Sequence, residues 1–305
     1  MSMDQIILLD TDLLPNEKIF KEVIYWKNFF RAQLGWHYIL DLIWKLDKID
    51  RLNLPKGSLI VDAGAGYGLM QYILAGRGFN VISVDFAPRK IMWPKNWIFP
   101  MKMMNDEKFE DEYIQFLKDK SSTKGFKLFL NELKKTILNY NIKLIIQVFK
   151  RKDHGTIFYY QANFKSLKDI SSDTVDAIVS TSSVEHVRDL NDLKMATAEF
   201  IRVLKKDQPM FITTSAAKDS SWFFEPAEGW CFSETDLTSI FQLKNPESNY
   251  QEYERIYQNI FNNDYLKKNI PRHYFKSPKG GLPFGKWDPK YIPVGIEKWK
   301  NESLN

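Results

Sequence analysis

A chain of 305 residues with 44% hydrophobic and 27% charged residues has the makeup of a globular protein, long enough for one large domain or a domain with a substantial insertion. Its net charge of +5 is too mild and too dispersed to point to nucleic acid, and no apolar run approaches the roughly 20 residues of a membrane span. The single cysteine, Cys231, excludes an intramolecular disulfide framework and a multi-cysteine metal site.

Residues 1–15 read as an extended lead-in. With acids and no basic start they do not look like a secretory signal, so a cytoplasmic protein is expected. Asn16 is placed to cap a helix from Glu17 to Leu34, broken at Gly35. A second helix is expected from Trp36 to about Leu52, with Ile39, Leu40, Ile43, Trp44 and Leu46 as its apolar stripe. Asn53 to Gly57 then turn the chain into an apolar run, Leu59-Ile60-Val61, that suits a buried parallel strand.

The stretch from Leu59 to Asp85 organises the rest. An acid, Asp62, closes the first strand, and Gly64, Gly66 and Gly68 follow on alternate positions. A helical run from Leu69 to Leu74 leads to a second strand, Val81 to Val84, closed by Asp85. Strand, glycine turn, helix, strand and acid make half of a doubly wound α/β sheet with its ligand crevice at the carboxyl ends of the strands. A dinucleotide fingerprint needs glycine three residues after Gly66, and Leu69 stands there, which disfavours a nicotinamide oxidoreductase.

The acid-x-G-x-G-x-G turn and the second acid 23 residues on resemble the first two motifs of class I S-adenosylmethionine (SAM)-dependent methyltransferases. The run from Val175 to Thr214, with Glu185-His186-Val187 after the fourth strand, resembles the second half of the small-molecule members. Together the resemblance covers about residues 55–92 and 157–215. It implies a Rossmann-like, doubly wound, seven-stranded sheet with SAM as cofactor. It further implies that Asp62, with Gly64, Ala65, Gly66 and Tyr67, holds the methionine end, that Asp85 takes the ribose hydroxyls and that Phe86 lies against adenine. Asn163 and Phe164 sit where the adenine amino group is met, without the usual acid, and backbone at Ser180 and Thr181 faces the methionine.

The remaining elements fit around this frame. Residues 1–54 are expected as an N-terminal helical lid, with Tyr25, Trp26, Trp36, His37 and Tyr38 in it, and 55–305 as the methyltransferase domain. A cap inserted at about 93–155 is expected to hold a turn at 97–105, helices at 107–118 and 126–140, and a hairpin of 144–148 with 156–160. Strands are expected at Ile157–Gln161 and in Pro209–Thr214, with a helix from Leu190 to Leu204 between them. The aromatic, loop-rich region 216–290 is expected on the substrate side, with Ser233 capping a helix and another helix over 249–268. Tyr291–Ile296 fits an antiparallel seventh strand, with Pro293 favouring an edge or a bulge.

Methyl transfer needs an acceptor aligned with the methyl group, and a base where the acceptor must lose a proton. No His, Cys and carboxylate set has metal-ligand spacing, so no metal is expected. His186 is the favoured base, Glu185 its alternative, and His37 and His273 further candidates. The expected acceptor is a small molecule, most readily a hydroxyl of a sugar, a glycan or a secondary metabolite, and the mild positive charge tolerates a phosphate on it. N- or C-methylation stays open, as does a catalytically silent SAM-binding regulator. Neither a nucleic-acid partner nor a membrane span is expected, and the oligomeric state is not legible.

Overall fold

The structure, a computed structural model, describes residues 3–87, 89, 98–104, 153–276 and 286–301. In chain order its strands are β1 (Gln5–Leu8), β2 (Leu59–Ala63), β3 (Asn80–Asp85), β4 (Met101–Met103), β5 (Ile157–Gln161), β6 (Ala177–Thr181), β7 (Pro209–Ala216), β8 (Trp222–Phe224), β9 (Gly229–Phe232), β10 (Glu247–Ser248) and β11 (Ile292–Trp299). Its helices are α1 (Glu17–Phe29), α2 (Tyr38–Arg51), α3 (Met70–Gly76), α4 (Leu190–Val203), α5 (Glu234–Ile240), α6 (Tyr253–Asn262), α7 (Asp264–Lys268) and α8 (His273–Lys276).

The strands form one sheet in the order β10-β1-β11-β7-β6-β2-β3-β5-β4, with β9 pairing β7 off this path and β8 pairing β9. β2, at the centre, has parallel neighbours on both sides. Its apolar run is buried because both faces are covered. From β2 the chain builds one way through β3 and β5 and the other way through β6 and β7. With right-handed crossovers this reversal puts α3 and α4 on opposite faces and opens a crevice at the carboxyl ends of β2 and β6. This is the doubly wound sheet expected from the sequence, extended at both edges. β4 adds a parallel strand beyond β5, where a turn is expected at 97–105.

Two findings concern the far edge. Within the extended lead-in, Gln5–Leu8 is a strand of the sheet. It pairs antiparallel with β11, Gln5 opposite Glu297 and Leu8 opposite Val294. β11 is the expected antiparallel strand, but it is internal, with β7 on its other side. Pro293 is tolerated there because β1 stops at Leu8. Past that end the Pro293 carbonyl accepts from the Leu9 backbone N–H at 2.8 Å, and the one return bond that proline cannot make falls where β1 stops.

Asn16 caps α1 as expected, its Oδ1 accepting from the Ile19 N–H, though the helix stops at Phe29 rather than Leu34. Ser233 caps α5 by accepting from the Asp236 N–H. The helix expected over 249–268 is broken at Asn263, whose side chain caps a fresh turn at Leu266. α1 packs on both α2 and α3, and α2 lies across β6, β7 and β11. A Cβ on Gly295 of β11 would stand 2.7 Å from the Trp44 ring, so α2 is seated on the sheet itself. Trp26 is core in the same sense, closing on Gly76 and stacking beside Phe30 and Phe99. Most of the 93–155 insertion, including the expected helices at 107–118 and 126–140 and the 144–148 arm, lies outside the described residues. So does the side chain of His273.

Candidate active site

The glycine turn after β2 is pinned from below. The Ala65 N–H donates to the Val84 carbonyl at 2.9 Å and the Gly68 N–H to the Ala65 carbonyl at 2.8 Å. The buried Gln71 amide donates to the carbonyls of Gly66 and Gly68, and Ser83 Oγ donates in turn to Gln71. Arg89, also buried, donates to the Gly66 carbonyl, to Ser83 Oγ and to the Ser83 carbonyl, with its guanidinium over the Tyr159 ring. Gly64 and Gly66 have φ of +69° and +46°, the left-handed region that favours glycine. A Cβ at Gly64 would lie 2.4 Å from that of Ser183, whose Oγ donates to the Gly64 carbonyl at 2.8 Å. The turn after β2 and the turn after β6 are thus in direct contact. Gly64→Ala is expected to lower stability by about 1–3 kcal/mol from backbone strain alone, before the clash is counted. A thermal unfolding midpoint equal to the wild type's would contradict this.

Three cavities run along this edge and share walls. One, of about 490 Å³, is lined by Asp85, Phe86, Asn163 and Phe164, with Gly64, Ser183 and His186. The second, of about 440 Å³, is lined by Asp62, the turn from Gly64 to Met70, Thr181 to Ser183, residues 32–35, Tyr38 and Tyr274. Gly64 and Ser183 belong to both. The third, of about 220 Å³, opens from the second at Tyr38, Ser182 and Tyr274 and is lined by His37, Glu185, His186, Trp230 and Tyr291. The larger two fall in the usual range for small-molecule sites.

The carboxylates at the two strand ends differ. Asp85 is organised: its Oδ2 accepts from the Gly66 N–H at 2.7 Å and its Oδ1 from the Ala87 N–H at 2.9 Å. One lone pair on each oxygen is left for a ligand. Asp62 is 1% exposed and neither oxygen has a well-formed hydrogen bond. Burial pushes its pKa up to about 7, against the pull of Lys45, Arg89 and the nearby Gln71 backbone N–H. A buried carboxylate with spare lone pairs at the wall of a cavity can accept from a ligand donor.

Behind it lies a polar group that sequence reasoning missed. Lys45 of α2 is fully buried and donates to the Ser180 carbonyl at 3.0 Å, Thr181 Oγ1 at 2.7 Å and Thr213 Oγ1 at 2.9 Å. Burial pulls its pKa down to about 8, while Asp41, Asp62 and Glu185 hold it up. Asp41, one turn earlier, accepts from Ser182 Oγ at 2.9 Å. Its same oxygen lies 2.7 Å from Nδ1 of His37, a further turn back. A carboxylate there only accepts, so Nδ1 carries the proton and the imidazole lone pair is on Nε2. His37, Asp41 and Lys45 form a stripe at i, i+4 and i+8, a spacing visible in the sequence but overshadowed by the apolar stripe beside it.

The remaining expected site residues divide. Glu185 is buried in the third cavity and accepts from Thr214 Oγ1 at 3.1 Å, and burial raises its pKa against the nearby His186 and His37. His186 is exposed and bridges the first and third cavities. Its Nδ1 lies 2.9 Å from the Glu228 carbonyl, which fixes the proton there and leaves Nε2 the lone pair. Ala65, Gly66 and Thr181 line the second cavity. Tyr67 and Phe86 border the cavities but are 67% and 77% exposed. Asn163 turns its Oδ1 to the Lys165 N–H, leaving the amide to the first cavity. Ser180 lines none of these three cavities: its carbonyl is taken by Lys45 and its hydroxyl donates to the Ala63 carbonyl at 2.8 Å. Of the five lid aromatics, His37 and Tyr38 reach the cavities, whereas Trp26 and Trp36 are buried in packing.

A family model described as a methyltransferase domain matches residues 127–212, the part of the chain that carries β5, β6, α4 and the start of β7. No curated protein matches the chain significantly. Among solved structures, YcgJ from Bacillus subtilis is 14% identical, covering 84% of this chain and 97% of its own, with a TM-score of 0.40. A SAM-dependent methyltransferase from Methanosarcina mazei is 12% identical over 84% of this chain and 98% of its own, with a TM-score of 0.42. The 1,6-didemethyltoxoflavin-N1-methyltransferase of Burkholderia thailandensis, solved with its substrate and S-adenosylhomocysteine, is 11% identical over 85% and 77%, with a TM-score of 0.41. Likeness at this level says nothing of what this chain acts on.

Proposed function

Proceeding from a chain that carries a SAM-dependent methyltransferase domain, we propose that it binds SAM along the first two cavities and methylates a small molecule held in the third. The observation that carries this reading is the pair of strand-end carboxylates. Asp85 is pre-oriented by two backbone N–H groups and has lone pairs free for a diol. Asp62, buried and unpartnered in the adjoining cavity, fits a ligand ammonium. The turn between them leaves no room for a side chain at Gly64. The residues present therefore suit SAM, which when bound supplies an electrophilic methyl group.

The chain's part is to bind, orient and take up a proton. Asn163 and Phe164 border the adenine side, and Thr181 and Ser183 the methionine side. Two imidazoles, His186 and His37, line the third cavity with their Nε2 lone pairs free. This supports an acceptor that loses a proton on methylation, a hydroxyl or an amine, taken up by His186 as expected from the sequence or by His37. The side chains of the helical region 1–54 and of 216–290 contribute to the walls of this cavity, in keeping with roles on the substrate side. No Lys or Arg lines it among the described residues, so a phosphate on the acceptor finds no cation there.

Asp85→Ala removes the carboxylate proposed to grip the ribose. S-adenosylhomocysteine affinity, measured by titration calorimetry, is expected to fall roughly 10- to 100-fold, the worth of one or two hydrogen bonds to a charged group. Unchanged affinity would refute the cofactor assignment.

A further inference from the structure

The geometry points to a small amine as the methyl acceptor, entering as a cation onto Glu185 in the third cavity. This inference rests on the methyltransferase reading and deepens it. Among the described residues Glu185 is the one carboxylate on that lining, whose other ionisable groups are His37, His186, the tyrosines and Cys231. It is 5% exposed, and Thr214 Oγ1 and the Glu185 backbone N–H donate to it, neither of them a cation. The nearest buried cation, Lys45, has all three of its protons spent on Ser180, Thr181 and Thr213. The carboxylates facing Lys45 are three, Asp41, Asp62 and Glu185. A buried carboxylate is stabilised by an opposite charge, and the aromatic rings around it, among them Tyr38, Trp230 and Tyr291, suit a cation as well.

Proton chemistry narrows the choice. As free groups in water, an alkyl hydroxyl, taken to resemble water at about 16, is about five to six units less acidic than an alkyl ammonium near 10.4, so an imidazole takes a proton from the ammonium far more readily. A phenol near 10 is as acidic as the ammonium. Its anion, however, would form beside Glu185 and with Asp41 behind His37, where negative charge is already in excess. A phosphate ester meets the same repulsion. An ammonium that loses one proton to an imidazole Nε2 instead becomes a neutral nucleophile beside a carboxylate. The nitrogen lone pair then forms the N–C bond as the methyl–sulfur bond breaks. The sulfur leaves as the neutral thioether of S-adenosylhomocysteine, and the product is a methylated ammonium. At His37 the imidazolium formed is matched by Asp41 at 2.7 Å.

The test is calorimetric, on the whole chain loaded with S-adenosylhomocysteine, using benzylamine, benzyl alcohol, phenol and benzyl phosphate as probes. Benzylamine is expected to bind at least tenfold more tightly than each of the others. Glu185→Gln is expected to reduce benzylamine to the level of benzyl alcohol, with S-adenosylhomocysteine affinity as in the wild type. The inference is overturned if benzylamine fails to bind at millimolar concentration, if any other probe equals it, or if Glu185→Gln keeps the preference. Failure of S-adenosylhomocysteine itself to bind would sink the methyltransferase reading instead. The same probe series on the free protein would then still decide the charge preference of the cavity.

Discussion

Asp62→Asn is expected to cost about 100-fold or more in S-adenosylhomocysteine affinity at pH 8 and, in the same protein, to raise the unfolding temperature. Both effects come from one buried carboxylate. In the free protein it is desolvated, without a well-formed hydrogen bond, and shifted up to about 7. An acid whose folded pKa lies above its ordinary 3.8 is a liability that grows as pH rises from about 4 and is complete above about 7. The isosteric amide removes that penalty at pH 8, and each kcal/mol recovered is worth about 2–4 °C in a chain of this size. The ligand ammonium needs the carboxylate, and one partner of a desolvated charge pair is worth several kcal/mol. For the wild type, affinity should fall as pH drops below about 7, approaching tenfold per unit, because the protonated acid must ionise to bind. The variant should lose that slope. Calorimetry from pH 6 to 8 with parallel melting curves checks all three statements. An Asn variant that binds like the wild type would remove Asp62 from the site.

Lys45→Met should be the most damaging single change in the buried polar layer, with a loss of about 3–5 kcal/mol at pH 8. The side chain is similar in length and apolar, so packing is largely kept. What goes is the cation that faces Asp41, Asp62 and Glu185, together with three hydrogen bonds. The Ser180 carbonyl is then left short of a donor in the middle of the sheet. Without Lys45 the pull that lowers the Asp62 pKa is gone, so Asp62 takes up a proton more readily. The deficit should therefore shrink between pH 8 and pH 6. Urea unfolding at the two pH values measures it. A loss under 1 kcal/mol at pH 8 would mean that the cluster is solvated rather than held by the lysine.

What was legible in the sequence was local. The glycine turn, the acids at Asp62 and Asp85, and the helix over α4 each announce themselves within a few residues, because backbone freedom, strand ends and 3.6-residue periodicity are short-range properties. Their assembly into one crevice followed from the handedness of crossovers. The polar stripe of His37, Asp41 and Lys45 was not legible in the same way. It runs up the buried part of a helix, among Ile39, Leu40, Leu42, Ile43, Trp44 and Leu46, so the apolar stripe beside it hides it. β1 escaped notice because four residues between acids carry little alternation, and only the partner strand almost 290 positions away makes them a strand. The partner of Ser180 was not legible either, because its carbonyl belongs to a lysine that the strand's own residues do not announce.

The pairing of β1 with β11 has a consequence for biogenesis. On the ribosome β1 emerges long before the neighbour it needs, β11, which ends only at Trp299. Until then β7 also lacks β11, its partner along eight residues. The half of the sheet beyond β6 must therefore complete only after β11 has left the exit tunnel, a long-range closure that is slow by nature. Nascent chains stalled before Ile292 should expose an open β7 edge to chaperones, while β2, β3, β5 and β6 already have their partners in hand.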